Sequence, residues 1–213
     1  MPKIDDYIQA RELSKKELVA KDPARIADSS GALLERTTGE EKSLSLNFLN
    51  RHILISWPDM EISYRDSGKG LPIQQQVLIM HYLCGTISSK EPAYDEEWIS
   101  FQDLPDGRFY MGAFIKRAKD PLLKTFGQNP ALLVELCLKV YNAAKLDYGD
   151  HSVMIKALPK VSLALVLWEG DDEFPPDANI LFNKNISKVL SAEDIAWLSG
   201  MVIYPMIGMV KPG

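Results

Sequence analysis

Apolar and polar positions divide the chain into helical and extended stretches. Ile4, Tyr7, Ile8, Leu13 and Leu18 fall at loose helical spacing among many charges, which predicts a surface helix over residues 4–20. Asp22-Pro23 reads as an N-cap followed by proline at the first helical position. A short helix then runs to about Ser29 and stops at Gly31. From Ala32 the period changes to two. Leu44, Leu46 and Phe48, then Ile53, Ile55 and Trp57, then Met60, Ile62 and Tyr64 mark one face, with turns at Asn50-Arg51 and Pro58-Asp59. Such alternation leaves one side wet, so an antiparallel meander is expected.

After a loop at 67–70, Pro72 opens an apolar helix over 73–84 that Gly85 is expected to end. Residues 98–101 read as a short strand and 103–107 as turn chemistry. Helical spacing resumes from Phe109 to about Arg117, again over 121–126, and again over 130–145 with Asn129 as cap. Residues 153–158 and 161–168 predict an apolar hairpin about Pro159-Lys160, and 179–182 a third strand. Ser191-Ala-Glu-Asp194 is a capping-box start to the last helix. Its apolar stretch, 195–210, carries no charge but falls short of the ~20 residues that span a bilayer. It also contains Gly200, Pro205 and Gly208, so a buried core helix is expected and no membrane association. The pattern as a whole predicts an α+β fold in a single compact domain over 1–213. An N-terminal meander and a C-terminal hairpin plus strand form antiparallel sheets packed against several helices.

Composition narrows the classes. The 46% hydrophobic and 25% charged shares are those of an ordinary globular protein, which removes disordered, collagenous and disulfide-scaffold classes. With 24 Lys plus Arg against 29 Asp plus Glu the net charge is −5, which argues against a nucleic-acid partner. The two cysteines, Cys84 and Cys137, sit in apolar helical stretches and read as buried free thiols. With no C-x-x-C pair, four-thiolate zinc or iron–sulfur binding by this chain is excluded on count. The opening Met1-Pro-Lys-Ile-Asp-Asp has no apolar stretch of a signal peptide, so a cytoplasmic location is expected. The G-x-G about Lys69 lacks phosphate-loop spacing, and no G-x-S-x-G elbow is present.

Candidate chemistry lies in three places. The acidic turn carrying Asp171, Asp172 and Glu173 would suit a hard cation such as Ca²⁺ or Mg²⁺, or be a solvated connecting loop held by backbone N–H groups. His81, on an otherwise apolar helix, reads as a metal ligand, a general base, or a core histidine satisfied by a partner. Trp98, Phe101, Phe109, Tyr110 and Trp168 would line a pocket for a planar ligand or fill the core. Arg108, Lys156 and Lys160 flank the same stretches, placed to hold an anionic group or to stand as surface charge.

Several strings together carry a resemblance. They are Val77-Leu-Ile-Met-His-Tyr-Leu83, Trp98-Ile-Ser-Phe-Gln-Asp-Leu-Pro105 with Gly107-Arg-Phe-Tyr110, Ala157-Leu-Pro-Lys160 and Leu167-Trp-Glu-Gly-Asp-Asp-Glu-Phe-Pro-Pro176. Ile180-Leu-Phe182 and Ser191-Ala-Glu-Asp194 continue it. From about residue 22 to 200 the chain resembles a domain-of-unknown-function family of anaerobic bacteria and archaea. The resemblance implies an association with iron–sulfur or corrinoid proteins, as some members are joined to such modules. It implies no reaction and no particular cofactor. This chain lacks an appended cysteine cluster, so a cluster would reside in a partner. Asn183 stands where similar proteins tend to have Asp, which weakens a metal role there.

Two functional readings remain open. One is a non-catalytic accessory module that binds a metal, a cofactor or a redox-protein partner near His81, the 98–110 segment and the acidic turn. The other is an enzyme using His81 with Asp171, Asp172 or Glu173 as an acid–base set.

Overall fold

Local capping chemistry sets the first elements much as expected. The structure, a computed structural model, describes residues 3–36, 42–89 and 97–210. Helix α1 spans Ile4–Val19, and α2 spans Pro23–Ser30. The Asp22 side chain accepts the Ala24 N–H at 3.0 Å, and Gly31 ends α2 in the left-handed region at φ 74°. A side chain at residue 31 would be strained there and would press on Pro159 as well.

The described chain falls into two units. The first comprises Met1–Ala93 with Leu158–Lys160 and Lys188–Leu190, the second Tyr94–Ala157, Val161–Ser187 and Ser191–Gly213. The α+β class holds, with antiparallel sheets of four and five strands.

In the first unit the meander is β1 (Leu33–Arg36), β2 (Lys42–Phe48), β3 (Arg51–Trp57) and β4 (Ile62–Tyr64), paired in that order. Leu44, Leu46 and Phe48 on β2 and Ile53 and Ile55 on β3 are buried, the period-two face read from the sequence. The register Phe48↔Arg51 puts the first turn at Leu49-Asn50, both left-handed, one residue earlier than expected. Met60 is not on a strand. It is fully buried in the turn before β4, with φ 57°, its N–H held by the Ser56 carbonyl. Helix α3, Ile73–Ser88, continues through Gly85 rather than stopping there. The glycine serves close approach instead, because a Cβ at that position would overlap the Val189 carbonyl. On the same helix Tyr82 is fully buried. Its hydroxyl donates to the Ser30 carbonyl at 2.5 Å and accepts the Lys160 N–H at 3.2 Å.

In the second unit five strands run in the order β5 (Trp98–Ser100), β9 (Asp177–Asn183), β8 (Val161–Trp168), β7 (His151–Leu158) and β6 (Ala144–Lys145). Seven consecutive residues of β8 are buried, the mark of a strand covered on both faces. The helices are α4 (Gly107–Phe114), α5 (Asp120–Phe126), α6 (Pro130–Tyr141) and α7 (Ala192–Ile207). Asn129 caps α6 through the Leu132 N–H, and Ser191 with Asp194 forms the capping box of α7. The expected break between 117 and 121 is absent. A π turn, Ile115–Lys119, joins α4 to α5. Among the described residues no helix is long and apolar enough to cross a membrane.

Candidate functional site

The second unit opens a cavity where one strand leaves its sheet. Strand β5 pairs with β9 over three positions, the last being Ser100↔Leu181. The Ser100 hydroxyl then donates to Asp103 Oδ2 at 2.6 Å, capping a 3₁₀ turn, Phe101–Asp103, that carries the chain out of the sheet. One residue past the last pair, the Ile180 N–H donates to Asn179 Oδ1 at 2.9 Å. The side-chain oxygen thus supplies an acceptor where the neighbouring strand has turned away. The space beside it is a cavity of about 280 Å³.

Its apolar wall is Phe101, Met111, Phe114 and Ile115. The Phe101 and Phe114 rings stack with centroids 4.1 Å apart and planes 5° from parallel. Phe182 meets both edge-on, at 6.1 and 6.2 Å, and all three rings are buried. This fixed aromatic cluster holds the wall in one arrangement. Ser100, Gln102, Lys119 and Asn179 supply the polar side.

The wide turn places two of these residues. Pro121 has no N–H, and in a regular helix its ring would strike the carbonyl of Arg117. The turn before it widens instead, and the Asp120 N–H reaches back five residues to the Ile115 carbonyl. Helix α7 braces the other side. The Arg117 guanidinium lies 4.2 Å over the Trp197 ring, and Gly200 allows close approach to the Arg117 carbonyl. With Arg117 held there, Ile115 and Lys119 face the cavity, and Lys119 Nζ lies 3.2 Å from Asp177 Oδ1.

Of the residues singled out from the sequence, Phe101 lines this cavity. Trp98, Arg108, Tyr110, Lys156 and Trp168 belong to the same unit but are not among its lining residues. Tyr110 donates to Glu193 Oε2 at 3.4 Å, and the Glu193 charge raises its phenol above the usual range. Arg108 and Lys156 are exposed, and Trp168 is 40% exposed. His81 and Lys160 belong to the first unit. His81 is half-buried on α3 and engaged with a partner, while the Lys160 backbone holds Tyr82.

The acidic turn is organised by its own backbone. Asp171 Oδ1 accepts the N–H groups of Phe174 at 2.7 Å and Glu173 at 2.8 Å, which holds its carboxyl below the usual range. Asp172 and Glu173 are exposed on that turn. Among the described residues no three His, Cys, Asp or Glu side chains gather as a metal-holding group. Burial pushes both thiols up to about 12, Cys137 beside Met206 and Cys84 near Glu17, so neither is a thiolate at neutral pH.

Sequence reasoning missed Ser100, Gln102, Met111, Ile115, Lys119 and Asn179. A proline inside a helical run was the available signal, and it reads equally well as a helix break or a widened turn.

A family model described as Domain of unknown function (DUF3786) matches residues 22–204, and the chain belongs to that family. No curated protein and no solved structure matches the chain.

Proposed function

We propose that this family member is a non-catalytic binding module, and that the cavity beside the π turn takes a small molecule with a flat apolar body. The observation that carries this reading is the pairing of a stacked Phe101–Phe114 wall with the polar lining groups Ser100, Gln102, Lys119 and Asn179. Small-molecule sites have this make-up, an apolar body of the cavity with a few polar groups that fix orientation. Single π turns inside α-helices also occur preferentially at functional sites. A cavity of about 150 Å³ lined by aliphatic and aromatic groups takes up benzene. The volume here, near 280 Å³, leaves room for a substituted ring. Lys119 is the lone ionisable side chain among the lining residues, and no imidazole or carboxylate is there to form an acid–base pair. That composition favours binding over the His81–carboxylate enzyme.

Methyl NMR of the full chain tests the reading with four fragments: benzyl alcohol, benzylamine, benzoate and phenyl phosphate. At least one fragment at millimolar concentration is expected to shift the Met111 and Ile115 methyl signals. Ile115→Trp, which fills the cavity, is expected to remove the response. Silence from both methyls towards all four fragments would end the proposal.

A further inference from the structure

We infer that the ligand of this cavity carries an oxyanion, a carboxylate or a phosphate, and that Asp177 is a built-in competitor for the same cation. The inference rests on the cavity being a binding site, as proposed above, and adds the chemical class of what enters it.

Three observations converge on it. First, Lys119 is the one charged group among the lining residues and it only donates, while the amides of Gln102 and Asn179 add further N–H donors. The Asn179 side-chain oxygen is engaged by the Ile180 N–H, which leaves its amide N–H groups as that side chain's remaining donors, and Lys119 presents an ammonium. The Ser100 hydroxyl gives its proton to Asp103 and stands outside this donor set. An oxyanion, which only accepts, matches an ammonium and amide N–H groups lining one cavity.

Second, no carboxylate is among the lining residues, and the two bonded to lining groups are each engaged, Asp103 by the Ser100 hydroxyl and Asp177 by Lys119. Third, Lys119 already holds an anion. Asp177 and Asn179 are two residues apart on β9 and therefore share a face of the strand, and Asp177 Oδ1 reaches Lys119 Nζ at 3.2 Å. The Asp177 side chain is 59% exposed, and an exposed pair of this kind is worth little. An oxyanion lying against the Phe101–Phe114 wall would meet the same ammonium with less water around it, where charge-assisted hydrogen bonds are stronger. Exchange of one anion for the other therefore runs towards the ligand. With the site empty, Asp177 keeps the lysine turned to the strand.

The experiment compares dissociation constants of the same fragments across three proteins: wild type, Lys119→Met and Asp177→Asn. Asp177 is exposed and Lys119 is partly exposed, and neither is a core residue, so folding is expected to be intact. Benzoate and phenyl phosphate are expected to bind more tightly than benzyl alcohol, and benzylamine most weakly. Lys119→Met should erase the preference for the anions while leaving benzyl alcohol bound. Asp177→Asn should tighten the anions about threefold without changing benzyl alcohol. Raising salt should weaken the anions alone. If benzyl alcohol binds as well as the anions, or Asp177→Asn weakens them, the oxyanion is wrong although the cavity still binds. If none of the four binds, both proposals fall. Whether carboxylate or phosphate is preferred follows from the two anionic arms.

Discussion

Each unit contains an antiparallel sheet and a long helical run, yet the two runs are built to opposite ends. In the first unit α3 is a regular helix of 16 residues. Its Gly85 lies so close to the Val189 backbone that no side chain fits between them. In the second unit the run from α4 to α5 contains a proline, widens over Ile115–Lys119 and borders a cavity. Flush packing gains apolar burial and dispersion along the whole contact. A widened turn forgoes part of that, and it leaves Ile115 and Lys119 partly exposed beside the cavity. The contrast shows how one helical run closes on its neighbour while another leaves a cavity at its side. The deciding feature is whether the helix keeps its period where it meets its neighbours.

The units also share a device, a buried tyrosine on a helix that carries a cysteine, buried at Cys137 and half-buried at Cys84, and it predicts the largest effect. Tyr82 and Cys84 lie on α3, Cys137 and Tyr141 on α6, and burial raises all four above their usual ranges. The folded state therefore holds these protons more tightly than the unfolded chain. Its stability is complete below the ordinary thiol and phenol values, about 8.5 and 10, and is lost as pH rises towards the raised ones. Each pH unit in that window removes about 1.4 kcal/mol per fully buried group. Urea midpoints measured from pH 8 to 11 should fall steeply. Hydrogen exchange resolved by residue should show both units weakening together. A flat profile would mean that the four groups are not held neutral.

Next in size is Gly85→Ala. The helix gains propensity, but the new methyl must displace the Val189 carbonyl, so the net cost is about 3 kcal/mol. Thermal unfolding measures it, and an unchanged midpoint would show that the close approach is not rigid. The tyrosines then distinguish the two units. Tyr82→Phe leaves both the Ser30 carbonyl and the Lys160 N–H without their partner, whereas Tyr141→Phe strands only the Val202 carbonyl. Costs of about 2 and about 1 kcal/mol are expected by urea unfolding. The reverse order would contradict the assigned hydrogen bonds. The smallest effect has the opposite sign to Gly85→Ala. Gly112 on α4 has open space where a Cβ would stand, so Gly112→Ala should stabilise the protein by about 0.5–1 kcal/mol.

Much of the fold was legible because its signals are local. Asp22 and Gly31 bracket α2, Ser191 and Asp194 start α7, and the alternation from Leu44 to Ile55 marks the buried face of the meander. Each depends on a capping group or on side-chain direction over a few residues. Gly85 shows where such reading fails. A glycine late in an apolar helix has the same local appearance whether it ends the helix or admits a neighbour. The neighbour here, Val189, is about a hundred residues away in sequence. The site was less legible still. Phe101 was named for its aromatic ring, but Lys119 and Asn179 are ordinary surface-type residues until the strand exit at Ser100 brings them to one cavity.

The amino-acid order alone determined the α+β class, the helix caps and the buried alternation, since each follows from short-range geometry or from composition. Tertiary structure decided which helix would run flush and which would widen, and hence where a cavity lies. That choice depends on how a proline's missing N–H is accommodated against α7 and on where β5 parts from β9. Both are contacts between segments far apart in the chain.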